Sequence, residues 1–73
     1  MTAARAFGQV LRQLREHKGL TQPDLGAKAG YSWEHVSKLE NGRKQPTLTT
    51  ILNLCEALNV SPSEFMKRLE RKL

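Results

Sequence analysis

Apolar residues recur along the chain at helical spacing, and three polar breaks carrying glycine or proline interrupt them: His17-Lys18-Gly19, Asn41-Gly42 through Pro46, and Ser61-Pro62. Phe7, Val10, Leu11 and Leu14 form an i, i+3/i+4, i+7 stripe, the signature of an amphipathic helix. Arg12, Arg15 and Glu16 fall largely on its other side, and Gly19 ends it. Thr21 opens a second helix. Its hydroxyl suits the free N–H groups of the first turn, and Asp24 completes a capping box, with Asp in the usual Glu/Gln place. Pro23 is tolerated because first-turn N–H groups have no intrahelical partner in any case. Leu25, Ala29 and Ala27 are its inward candidates, and Gly30 closes it after about two turns.

Ser32 caps a third short helix, with Val36 and Leu39 inward. Asn41-Gly42 stops it, Gly42 being suited to the left-handed position that satisfies the last carbonyls. Pro46-Thr47 starts a fourth, to which Leu48, Ile51, Leu52, Leu54, Cys55 and Leu58 lend a broad apolar face. Ser61-Pro62-Ser63-Glu64 is the strongest start signal: serine at the cap, proline first, glutamate third. Phe65, Met66, Leu69 and Leu73 then form a stripe among Lys67, Arg68, Arg71 and Lys72. Phe65 completes the core, whereas Leu69 and Leu73 either prolong the helix or make a dimer seam. No alternating stretch reads as a strand. The expected fold is all-α: five helices in a single domain over residues 1–73.

Two short helices joined across one glycine describe a tight helix-turn-helix, here over about residues 21–40. Gly26 sits where the second helix crosses the third, and Val36 and Leu39 pack back onto Leu25 and Ala29. The outer side of the third helix then carries Trp33, Glu34, Ser37 and Lys38, with His35 beside them. Such a helix has the width of a DNA major groove, and its first residues reach base edges.

Charge points the same way. Twelve Lys and Arg against seven Asp and Glu leave a net +5, which favours an anionic partner. Residues 1–45 hold eight basic and four acidic side chains and residues 46–73 four and three, so the excess lies in the half with the motif. A chain of 73 residues forms one domain with a marginal core, too small for a deep catalytic cleft. The single Cys55 forms no internal disulfide and reads as a buried small hydrophobe, in keeping with a reducing compartment. No apolar run approaches the ~18 residues a membrane span needs, and the N-terminus has no signal-peptide core. Neither His17 nor His35 has a partner at metal-ligand spacing, no nucleophile signature surrounds a serine, and no glycine-rich phosphate loop follows a strand. No cofactor, metal or catalytic residue is expected, and the chain does not read as an enzyme.

The run Thr21-Gln22-Pro23-Asp24-Leu25-Gly26-Ala27-Lys28-Ala29-Gly30, followed by Tyr31-Ser32-Trp33-Glu34-His35-Val36-Ser37-Lys38-Leu39-Glu40-Asn41-Gly42-Arg43, resembles the lambda-repressor-like, XRE-type (Cro-repressor class) helix-turn-helix family. Leu11-Arg12-Gln13-Leu14-Arg15 upstream, and Pro46, Leu54, Ala57-Leu58, Val60 and Phe65 downstream, extend the resemblance over roughly residues 6–66. It implies a compact five-helix domain that binds double-stranded DNA at a palindromic operator, usually as a homodimer, in bacterial or phage-encoded regulators of the cytoplasm and nucleoid. Carried over by position, Ser32, Trp33, Glu34 and Lys38 match base-reading residues. Gln22, Ser37, Asn41, Arg43 and Lys44 match phosphate contacts, Gln22 also buttressing the third helix. Arg15 and Glu40 match a structural pair, expected here to be exposed and worth under ~1 kcal/mol. Two departures stand out. Gly26 replaces the usual alanine, at about 0.5–1 kcal/mol of helix stability, and Trp33 stands where a polar reader is common.

The expected function is sequence-specific transcriptional regulation, of the repressor or restriction–modification controller type, with residues 61–73 a candidate dimerisation tail. The alternative is a protein-interaction module, such as an antitoxin, that binds a partner protein through the helix-turn-helix surface around Trp33.

Overall fold

The computed structural model describes all residues 1–73 and contains five helices: α1 (Ala3–His17), α2 (Gln22–Ala29), α3 (Trp33–Glu40), α4 (Leu48–Leu58) and α5 (Pro62–Glu70). There is no strand. Each expected cap is made. Thr21 accepts from the Asp24 N–H at 3.1 Å while the Asp24 carboxylate accepts from the Thr21 N–H at 3.0 Å, and Ser32 and Ser61 accept from the N–H groups of His35 and Glu64. Thr47 rather than Pro46 caps α4, with Pro46 just outside it. The start of α1 carried no recognised signal, yet Thr2 caps it through the Arg5 N–H.

The stops follow from backbone geometry. Gly30 adopts φ +85° and lets the chain double back from α2 into α3 within two residues, Tyr31 and Ser32. Gly42, at φ +71°, places its own N–H on the Leu39 carbonyl and the Arg43 N–H on the Lys38 carbonyl, which satisfies two of the last carbonyls of α3.

α3 packs against both α1 and α2, α4 lies on α2, and α5 closes the base against α1 and α4. Phe7, Val10, Leu11, Leu14, Leu25, Val36, Leu39, Leu54, Cys55, Leu58 and Phe65 form the core, in which the Phe7 and Phe65 rings lie 5.1 Å apart. Four expectations need correction. Leu48 and Leu52 of α4 are exposed, because the face that meets α2 and α5 is built from Thr50, Leu54, Cys55 and Leu58. Ala27 points outward from α2. Arg15, placed by periodicity on the outer side of α1, is buried, and so is its pair with Glu40. The end of α3 folds over that edge of α1 and shuts out water. Finally, Gly26 faces the backbone of the α2–α3 turn rather than α3 itself: a Cβ there would collide with the Tyr31 carbonyl oxygen. In this chain the turn therefore packs directly on Gly26, which makes the glycine more than a loss of helix propensity.

Candidate nucleic-acid interface

At 3.6 residues per turn, Trp33, Glu34, Ser37, Lys38 and Asn41 share one side of α3, while Val36, Leu39 and Glu40 turn inward. Val36 and Leu39 are wholly buried, which sets the roll of the helix and presents the other side outward. Ser32, Trp33, Glu34, Lys38 and Asn41 are exposed, and Ser37 is half-buried. Trp33 is 51% exposed, a large apolar surface for so small a domain. Ser32 spends its acceptor on the helix cap, leaving its hydroxyl hydrogen free to donate. Asn41 donates weakly to Ser37 Oγ at 3.4 Å. Arg43 and Lys44 stand exposed just past the Gly42 cap, and neither has an acidic partner.

A buried ion pair supports this surface. Arg15 donates from Nε and Nη2 to the two oxygens of Glu40, at 2.6 and 3.1 Å, and from Nη1 to the Leu20 carbonyl at 2.7 Å. The Glu40 hydrogen bond holds the Arg15 pKa above its ordinary value, against the opposing effect of burial. Gln22, the first residue of α2, donates to Glu40 Oε1 at 3.1 Å. Glu40 and the Arg15 guanidinium together thus tie α1, the loop to α2, the start of α2 and the end of α3. Gln22 thereby links the start of α2 to the end of α3.

The opposite flank of α3 is held differently. Tyr31 in the turn stacks on His35, ring centroids 4.9 Å apart, and its hydroxyl accepts from Asn53 of α4 at 2.9 Å. Burial, followed by the nearby cations Lys44 and Lys38, pushes the His35 pKa below its ordinary value. These two anchors were not legible in the sequence. Nor was Gly8, where α1 comes so near the end of α3 that a Cβ would overlap the carbonyls of Leu39 and Glu40. A glycine on the apolar side of an otherwise regular helix was the available sign of that crossing.

No helix is long and apolar enough to cross a membrane. The family model for a helix-turn-helix domain matches residues 6–65. An HTH-type transcriptional regulator of Sinorhizobium fredii, y4dJ, is 39% identical over 66 residues, covering 90% of this chain and 86% of that one. Several other HTH-type regulators match along less than half of their own length. Among solved structures, the clp gene regulator ClgR of Corynebacterium glutamicum superposes with a TM-score of 0.95 at 27% identity, over 100% of this chain and 95% of that one. The restriction-modification controller protein C.AhdI of Aeromonas hydrophila gives 0.82 at 39% identity, over 85% and 94%.

Proposed function

The chain belongs to the XRE-type helix-turn-helix family of transcriptional regulators, and we propose that it binds double-stranded DNA sequence-specifically by inserting α3 into the major groove. The observation that carries this reading is the outer side of α3: five side chains with reading or hydrogen-bonding capacity, backed by wholly buried Val36 and Leu39. In this reading Ser32, Trp33, Glu34 and Lys38 meet base edges. Lys38 suits guanine O6 and N7, Glu34 the cytosine amino group, and Trp33 a thymine methyl or a sugar. Gln22, Ser37, Asn41, Arg43 and Lys44 hold phosphates, which fixes register without carrying sequence information.

One α3 presents few readers, so two copies on half-sites about 34 Å apart would supply the specificity of a regulator. Half-buried Leu69 and Val60, Asn59 and exposed Leu73 form the candidate seam. A repressor or restriction–modification controller, working on the bacterial chromosome in the cytoplasm, fits this reading. It has no catalytic step.

Selection of bound sites from a random duplex pool, followed by titration at several salt concentrations, tests the proposal. The expected result is an enriched, inverted-repeat site whose affinity falls steeply with salt, because each neutralised phosphate releases counterions. Weak, salt-insensitive binding with no enriched site would instead favour a protein partner docking on Trp33.

A further inference from the structure

The positive φ of Gly42 brings the loop after α3 against the N-terminal turn of α1, where Arg5 packs on it; a Cβ at Gly42 would lie 2.7 Å from Arg5 Cγ. Arg5, Gln9 and Arg12 stand at i, i+4 and i+7 on one side of α1. With Glu40 and Asn41 they line a groove of about 260 Å³ that has no apolar side chain in its wall. The acid in that wall is already satisfied, since Glu40 is held by Arg15 and Gln22. Arg5 has no acidic partner, and Arg12 has only an exposed pair with Glu16 at 3.3 Å, easily exchanged for another anion. The groove is therefore a cationic surface, which meets the loop after α3 where Arg5 packs on Gly42.

A helix lying in a major groove has one sugar–phosphate strand on each side. Lys44 lies near His35, on one flank of α3. The Arg5–Arg12 groove borders Glu40 and Asn41, on the other. We propose that this groove of α1 is a second phosphate-binding surface, in which Arg5, Gln9 and Arg12 grip the DNA strand on the Glu40 side of α3. The proposal rests on the reading that α3 enters the major groove. It extends the interface beyond the helix-turn-helix and its following loop, to a helix that presents no base reader.

The test uses the full chain and the selected duplex, with Arg5→Gln, Arg12→Ala, Arg43→Ala as the positive control and Lys28→Ala, an exposed cation in the last turn of α2, as the control outside the interface. Arg5→Gln keeps the methylenes that pack on Gly42, and thermal melting checks that each variant is folded. At 0.1 M salt, Arg5→Gln and Arg12→Ala should each weaken binding about three- to tenfold, equally on cognate and scrambled duplexes, and flatten the salt slope by about 0.9. Lys28→Ala should bind like the parent chain. Methylphosphonates introduced one phosphate at a time should reveal a position that costs the parent chain affinity but costs Arg12→Ala nothing further, as a double-mutant cycle requires for a direct contact. Parent-like affinity and slope for folded Arg5→Gln and Arg12→Ala, while Arg43→Ala loses both, would overturn the groove and leave the α3 reading standing. Failure of the parent chain to bind any duplex would overturn both.

Discussion

Arg15 and Glu40, 25 residues apart, meet in a two-pronged ion pair whose side chains keep only 11% and 2% of their surface exposed. The pair is a core element. Removing one partner leaves the other charge buried and unpaired, so Arg15→Ala or Glu40→Ala should cost about 3–5 kcal/mol. For a domain of this size that is a large part of its whole stability. Urea denaturation monitored through Trp33 measures it. Replacing both residues with apolar ones should cost less than the two single losses combined. Losses below about 1 kcal/mol for each single variant would mean the pair behaves as a surface one.

Alanine at Gly26 should destabilise the domain despite its better helix propensity. The added methyl meets the Tyr31 carbonyl, a backbone atom that can yield only if the α2–α3 turn opens. Overpacking of this kind costs about 1–3 kcal/mol, more than the ~1 kcal/mol that alanine returns. Gly8→Ala should behave likewise against Leu39 and Glu40. Denaturation midpoints decide, and a more stable Gly26→Ala variant would mean the turn yields freely.

Grip and reading separate by mutation. Arg43→Ala should weaken every duplex by a similar factor and reduce the salt slope by about one. Lys38→Ala should cost about 1–3 kcal/mol at the selected site and relax preference at one base pair. Competition between cognate and scrambled duplexes tells them apart. Equal losses on both for Lys38→Ala would remove Lys38 from the readers.

The role of Trp33 is tested on the DNA side. If its exposed indole packs on a thymine methyl, uracil at that position should weaken the parent chain and leave Trp33→Ala unchanged. An equal effect of uracil on both proteins would place the indole elsewhere.

Acidification should act through His35, whose pKa is lowered from 6.5 by burial, with Lys44 and Lys38 contributing. The unfolded chain binds the proton first as pH falls. Its contribution to stability is therefore complete above pH 6.5 and declines as the pH drops through 6.5 toward the lower folded-state value. His35→Gln should remove this component from a plot of stability against pH between 7 and 5. An unchanged plot would show that the ring titrates as it does in the unfolded chain.

Local chemistry made most of the fold legible. Thr21 with Asp24, Ser32, Ser61 with Pro62, and the glycines at 30 and 42 act within four or five residues of themselves, so their meaning is present in the chain before it folds. The order of five helices and the outward position of Trp33, Glu34 and Lys38 follow from them and from the helical repeat. Tertiary packing decided the rest. Periodicity put Arg15 outside and Leu48 and Leu52 inside, because a helical repeat divides a helix into faces without stating which neighbour arrives at each edge. The end of α3 covers Arg15, nothing covers Leu48, and Gly8 owes its importance to the Leu39 and Glu40 carbonyls that α3 brings against it. The Tyr31–Asn53 bond and the Arg5 groove arise in the same way. Each joins residues whose separation along the chain carries no local energy, so it exists only once the helices have docked.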